Sequence, residues 1–271
     1  MYHTRIPFYL CKLADWIASI YLPRLIRVPV LGLFSKITRI NVKEAALPLS
    51  EYTTINQFFT RELHSDMREI DADPSHIVSP VDGRILEFGD IKKGTLIQAK
   101  GHHYCLSDLI PTQLSDHFLS GSFLCIYLSP SDCHRIFSPL PGHCIQTCHV
   151  PGALFPVREP HISQTPQLYT KNERLITILN TEKQKLAVVM VGAINVGKIT
   201  VSYAPDFETN LTPNASVKTT NHFTPKFLNK GDHLGTFHLG STVILCSQRK
   251  IGFNALKSGD MVQYGQSLGR I

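Results

Sequence analysis

Gly235-Thr-Phe-His-Leu-Gly-Ser-Thr-Val-Ile-Leu245 is the stretch that decides how this chain folds. Its apolar, β-branched run Val243-Ile244-Leu245 predicts a buried strand. Gly240-Ser241 stands at the mouth of that strand, and Gly231 and Gly235 are expected to bracket a turn before it. Glycine admits a strained backbone at little steric cost. A hydroxyl placed just after it could attack the glycyl carbonyl from within the chain. A plain Gly-Ser turn entering a strand is the simpler reading of the same residues.

Outward from this stretch, short β-rich runs alternate with Gly and Pro from about residue 76. Examples are Ile77-Val78, Arg84-Ile85-Leu86, Phe123 to Leu128, Ile176 to Leu179, Leu186 to Val191 and Ile199 to Tyr203. Many short strands at this spacing predict a sandwich or barrel and not a doubly wound sheet. Nearer the N-terminus the period is helical. Leu10, Leu13, Ile17 and Ile20, with Trp16 and Tyr21, oppose Lys12, Asp15 and Ser19. Pro23 and Pro29 should break this region into short helices. Residues 52–70 read as a further helix, with Thr54 as N-cap and Phe58, Phe59 and Leu63 on its apolar face. The expected fold is α+β: a β-rich, sandwich- or barrel-like core with short N-terminal amphipathic helices. Residues 1–50 form the helical segment and 51–271 the β-rich domain.

The charge is unevenly placed. Residues 1–43 carry seven Lys and Arg against Asp15 alone, which accounts for the whole net charge of +6. An apolar face, the single Trp and cationic edges suit a helix lying in a membrane interface; the same pattern also suits a helix covering the protein's own core. No uncharged apolar run is long enough to predict a transmembrane helix, and Lys12 and Asp15 interrupt the one candidate signal core. The seven cysteines show no disulfide spacing, so free thiols in a reducing compartment are expected.

Two near-motifs fail on chemistry. Gly192-Ala-Ile-Asn-Val-Gly197-Lys198 lacks the hydroxyl residue that a P-loop needs, because Ile199 stands there. His143-Cys144 and Cys148-His149 match no common zinc spacing. No metal and no nucleic acid are expected. Three loop-like places carry possible chemistry: Asp82 before Gly83, the run Leu128-Ser-Pro-Ser-Asp132-Cys-His134-Arg135, and Ser241. A histidine after a buried strand, beside Asp and Arg, is a fair acid/base candidate. Asp, His and Ser in three loops could converge as a triad.

Taken together, several segments resemble the phosphatidylserine decarboxylase family, pyruvoyl-dependent enzymes of prokaryotic type. They are Asn56-Gln-Phe-Phe-Thr-Arg61, Val81-Asp82-Gly83, Leu128 to Arg135, Pro151-Gly-Ala-Leu-Phe155, Asn172-Glu173-Arg174, Val191 to Gly197 and Lys230 to Ile244. Leu239-Gly240-Ser241-Thr242 is the most specific of these marks, and the resemblance runs along nearly the whole chain.

The resemblance implies that the chain cuts itself between Gly240 and Ser241. The Ser241 hydroxyl would attack the Gly240 carbonyl, turning an amide into an ester. Elimination and hydrolysis would leave a covalent pyruvoyl group in place of Ser241, with no metal and no pyridoxal phosphate. The products, a β chain of 1–240 and an α chain of 241–271, would stay together as a heterodimer, with pairing of such heterodimers left open. The ketone would form a Schiff base with the headgroup amine of phosphatidylserine and take up the electrons left by carbon dioxide. His134 is the candidate acid, and Asp82 the candidate for orienting a histidine during self-cleavage. Arg135 could contact the headgroup or simply pack.

Many family members carry a second histidine where this chain has Phe137. Either His134 serves both steps, or another group, His238 among the candidates, supplies the base; His238 is also a candidate substrate contact. The substrate implies an anionic membrane, so peripheral association with the cytoplasmic face of the cell membrane is expected. Three alternatives stay open: a lipid-surface binding homologue that does not process itself, a decarboxylase of a related phosphoserine lipid, and a soluble pyruvoyl amino-acid decarboxylase.

Overall fold

The computed structural model describes residues 5–98, 102–111, 113–158, 161–194, 198–205, 207, 209, 216–238 and 241–271. Gly240 therefore lies outside the described residues, and so do Asn195 to Gly197. For Ser241 the backbone alone is described. Strands are numbered in chain order. The first six are β1 (His76–Val78), β2 (Gly83–Asp90), β3 (Thr95–Gln98), β4 (His102–Cys105), β5 (Ser122–Leu128) and β6 (Arg135–Phe137). Then come β7 (Gly142–Val150), β8 (Arg174–Asn180), β9 (Lys185–Gly192), β10 (Lys198–Val201), β11 (Lys218–Asn221) and β12 (Phe227–Leu228). The last are β13 (His233–His238), β14 (Ser241–Ser247), β15 (Gly252–Phe253), β16 (Met261–Val262) and β17 (Ser267–Arg270).

The largest sheet has nine strands, in the order β11-β7-β8-β9-β14-β5-β2-β16, with β12 also on β7. Every pairing in it is antiparallel. Smaller sheets are β1-β17-β15, β10-β13-β6 and β3-β4. The resulting fold is β-rich α+β, as expected. β14 takes its central place because Val243, Ile244, Leu245 and Cys246 are all buried, as are the facing residues of β5 and β9. Full burial of each such aliphatic side chain contributes roughly 1.5–3 kcal/mol. A run that is apolar on both faces fits the middle of a sheet covered on both sides, and not an edge.

Helix α1 (Arg5–Ala18) and helix α2 (Arg24–Thr38) precede the sheets. The chain breaks at Pro23, which is the N-cap of α2, but Pro29 sits inside α2 and does not end it. Proline there removes one backbone donor, the one that would face the Leu25 carbonyl. Leu25 is 93% exposed, so water can serve that carbonyl. Meanwhile Leu31 and Ser35 are buried on the other side of α2.

The helix expected over 52–70 is only α3 (Ile55–Phe59). Thr54 caps it as expected, accepting from Gln57 N. It stops because residues 62–64 turn to extended pairing with 44–46: Ala46 N donates to Glu62 O and His64 N to Glu44 O. Phe58 and Phe59 join Leu22, Leu31 and Tyr52 in a second, smaller core.

Gly235 is not in a turn. The turn lies at Asn229–Asp232, where Asp232 N donates to Asn229 O, and Gly235 is inside β13, at an irregularity in its pairing with β6. A Cβ there would stand 2.7 Å from Thr200 O, so the close approach of β10 is what requires glycine.

Gly83 meets a tighter limit where β2 leaves the Asp82 loop. A Cβ would stand 2.4 Å from Tyr127 O and 2.8 Å from Ile126 Cγ2. Gly83→Ala is expected to cost about 2–3 kcal/mol through this clash. An unchanged urea midpoint would contradict that account.

Candidate active site

Antiparallel order brings four chain ends to one place. Ser241, the first residue of β14, pairs with Leu128 at the end of β5 and with Gly192 at the end of β9. Arg84, near the start of β2, pairs with Tyr127. The loops holding Asp82 and residues 129–134 therefore open beside Ser241. Gly192 is itself held: Asn172 Nδ2 donates to Gly192 O at 2.8 Å and to Phe155 O at 2.9 Å, and Gly192 N donates to Glu173 O at 2.8 Å.

The 129–134 loop is a closed turn. Ser129 N and Oγ both donate to Asp132 Oδ2, at 2.6 and 2.8 Å, and Asp132 N returns to Ser129 O. Burial pushes the Asp132 carboxyl up, against the opposing pull of these bonds. The turn sends His134 inward, fully buried, with its ring centroid 4.0 Å from that of Phe59. His134 O accepts from Phe237 N, which ties the loop to β13.

The tautomer of His134 follows from its partner. Nδ1 lies 3.0 Å from Asp132 O, a carbonyl that can only accept, so Nδ1 carries the hydrogen. Nε2 is left as a lone pair, buried and without a hydrogen-bond partner among the described residues. Burial lowers the His134 pKa to about 3. The Asp132 carbonyl opposes this shift, and the Arg61 charge adds to it. Arg61 is also buried. Its Nη2 donates to Ser131 O at 3.0 Å, while Nε and Nη1 have no partner among the described residues.

His238 is the reverse case. Asn56 Nδ2, a donor only, lies 3.2 Å from His238 Nδ1, so Nε2 carries the hydrogen and donates to Thr200 Oγ1 at 3.1 Å. Both ring nitrogens are engaged. Of the two candidate bases, His134 is the one with a lone pair to offer.

Among the described residues Asp82 is held by an arginine and has no histidine partner. Arg68 grips it from two sides, Nε on Oδ1 at 3.1 Å and Nη2 on Oδ2 at 2.6 Å. Tyr264 N donates to Oδ1 at 2.9 Å. Both side chains of the Arg68–Asp82 pair are nearly buried, and Arg68 also reaches Glu44. Phe137 stacks on Tyr264, with centroids 3.9 Å apart and planes at 21°. Where a histidine could have turned toward Asp82, an aromatic pair and a guanidinium stand instead.

Arg135 packs. Its Nε donates to Thr60 O at 3.0 Å and its Nη1 pairs with Glu62 at 2.8 Å. The Cys-His pairs of β7 also have other work. His143 Nδ1 donates to Pro225 O, Cys148 accepts from Thr219, and His149 pairs with Glu173 at 2.8 Å. Lys198 begins a strand and not the helix a P-loop would need.

Arg68, Tyr264 and Thr200 carried no signal in the sequence, because each acts only through a distant partner. Asn56, Phe59 and Arg61 lie in a quoted segment, but nothing in the sequence set their roles.

This geometry has relatives. The family model for phosphatidylserine decarboxylase matches residues 55–270. A phosphatidylserine decarboxylase proenzyme of Coxiella burnetii is 35% identical over 270 residues, covering 97% of this chain and 94% of its own. One from Brevibacillus brevis is 40% identical over 224 residues, 82% of this chain and 78% of its own. One from Alcanivorax borkumensis is 38% identical over 254 residues, covering 90% and 86%. The chain belongs to the phosphatidylserine decarboxylase family, and so to the decarboxylase enzymes.

The buried, neutral His134 sets a pH dependence. Its folded pKa, about 3, lies below its ordinary 6.5. The unfolded chain therefore binds the proton first as pH falls. Stability from this group is complete above about pH 6.5 and drains away toward pH 3, by at most about 1.4 kcal/mol per pH unit. His134→Asn should flatten the loss of stability across that window in urea titrations. Parallel losses in variant and parent would contradict the assignment.

Proposed function

We propose that this chain is a self-processing enzyme that decarboxylates phosphatidylserine to phosphatidylethanolamine, and that it works peripherally on the cytoplasmic face of the cell membrane. The observation that carries the reading is the start of β14. Ser241 is held between β5 and β9, so a new chain end created there would remain in place. Polar atoms also stand ready nearby. Thr242, the next residue, is fully buried, and its Oγ1 and His134 Nε2 have no hydrogen-bond partner among the described residues. On this reading they serve a small carbonyl group formed from Ser241. When formed, a pyruvoyl group supplies the carbonyl that condenses with the substrate amine and draws off the electrons left by carbon dioxide.

The chain's own residues would do the rest. His134 Nε2 is the base for the Ser241 hydroxyl in self-cleavage. Burial keeps it neutral, so it accepts a proton only as negative charge develops beside it. Asn172 fixes Gly192, and so one flank of residue 241. The Arg68–Asp82 pair anchors the neighbouring loop and leaves the proton transfers to His134.

The membrane reading rests on α1 and α2. Leu25, Ile37, Trp16, Tyr21 and Leu33 are between 60% and 93% exposed. Large exposed apolar side chains gathered on one segment of the chain favour a partner or a membrane there. Lys12, Arg24 and Lys36 lie on the same two helices, each contributing on the order of 1 kcal/mol near an anionic surface. Among the described residues no helix is long and apolar enough to cross a membrane.

Ser241→Ala should remain one chain and release no carbon dioxide from phosphatidylserine vesicles. A variant as active as its parent would overturn the chemistry. Product analysis with a matched ether-linked phosphoserine lipid identifies the preferred substrate. The double variant Leu25→Glu, Ile37→Glu should bind anionic vesicles at least roughly ten-fold more weakly in co-sedimentation, with an unchanged circular dichroism spectrum. Undiminished binding would remove α1 and α2 from the docking surface.

A further inference from the structure

Beside the Ser241 end of β14 lies a cavity of about 300 Å³ that the chemistry above does not use. Its walls are apolar, formed by Tyr127, Val157 and Ile162 among others, and Arg84 and Arg158 stand at it. Neither guanidinium has an ion-pair partner among the described residues. Both lie within electrostatic reach of the Tyr127 hydroxyl, which burial keeps protonated. The Asp132 carboxyl group also lines the cavity. Asp132 and Met261 are shared with a second, polar trough of about 510 Å³, which runs to Arg39 just after α2.

Two guanidiniums without an ion-pair partner among the described residues, on an apolar cavity, select an anion that carries carbon. Guanidinium binds phosphate oxygens well through its planar fork of donors. Asp132 differs in sign from the two guanidiniums and favours a cationic group, and it lies on the same loop as His134. The cavity thus presents groups of both signs, as a zwitterionic headgroup does. At about 300 Å³ it is at the small end for ligand sites, suited to a headgroup and not to acyl chains.

We propose that Arg84 and Arg158 bind the phosphodiester of the lipid substrate, with its amino end directed past Asp132 toward residue 241. This assignment rests on the function proposed above. It adds a phosphate subsite and gives the substrate a direction in the site.

The test uses the full chain, with its processing followed on denaturing gels. Arg84→Gln, Arg158→Gln and the double variant are assayed on phosphatidylserine in mixed micelles. The double variant should still be cleaved, with KM raised roughly ten-fold or more and kcat changed less than about two-fold, the loss expected for one or two charge-assisted bonds. sn-Glycero-3-phosphate should inhibit the parent competitively and the double variant far less. An unchanged KM in a cleaved double variant overturns the proposal. So does inhibition by inorganic phosphate equal to that by glycerophosphate, which would mark a plain anion site. If the double variant is not cleaved, the single variants decide, each expected to raise KM by a smaller factor. A parent chain that is itself uncleaved and inactive would instead overturn the function on which the subsite rests.

Discussion

Ladder hydrogen bonding on both flanks of β14 is the constraint on which the rest depends. A strand end at a sheet edge frays. Ser241 instead opens a strand that is paired along its length with β5 on one side and β9 on the other. Because both neighbours run antiparallel, their exits lie beside its entrance. The loop that carries His134 and the turn held by Asn172 follow from that geometry. So does the placing of Asp82, since β2 pairs on the far side of β5.

Electrostatics then sorts the polar groups at this end of the sheet. Removing one partner from a buried charge pair leaves a charge uncompensated, at a cost of about 3–5 kcal/mol. The Arg68–Asp82 pair is therefore a strong anchor. Among the described residues no carboxylate pairs with His134, and burial holds it toward the neutral form. Arg61, buried with two unbonded donors and lying over Phe58, adds positive charge that disfavours protonation of His134 further. Neighbouring ionisable groups are thus given different tasks by their surroundings. The stack of Phe137 on Tyr264 closes the route by which a histidine at that position could have reached Asp82.

Much of the fold was legible from local pattern. The runs around Val243, Val188 and Leu124 are apolar on both faces, and each is a central strand. Thr54 caps a helix because its hydroxyl and Gln57 N are three residues apart. What stayed hidden depends on distant partners. The helix after Thr54 ends at Phe59 because residues 62–64 pair in extended form with residues 44–46, well before them in the chain. Pro29 is tolerated in α2 because Leu25 faces water, which depends on where the helix lies. His134 was legible as a candidate from its place after β5. Its tautomer was not, because that follows from one backbone carbonyl. Arg68, which displaces any histidine from Asp82, carried no pattern at all.

The central claim is that the backbone before Ser241 is cut and that Ser241 becomes a ketone. Intact mass spectrometry of the purified protein tests it most directly. The account expects a fragment 241–271 that is lighter than the unmodified peptide by one ammonia, with a blocked N-terminus that reacts with a carbonyl reagent. A single uncut chain at the full 30.4 kDa would contradict it.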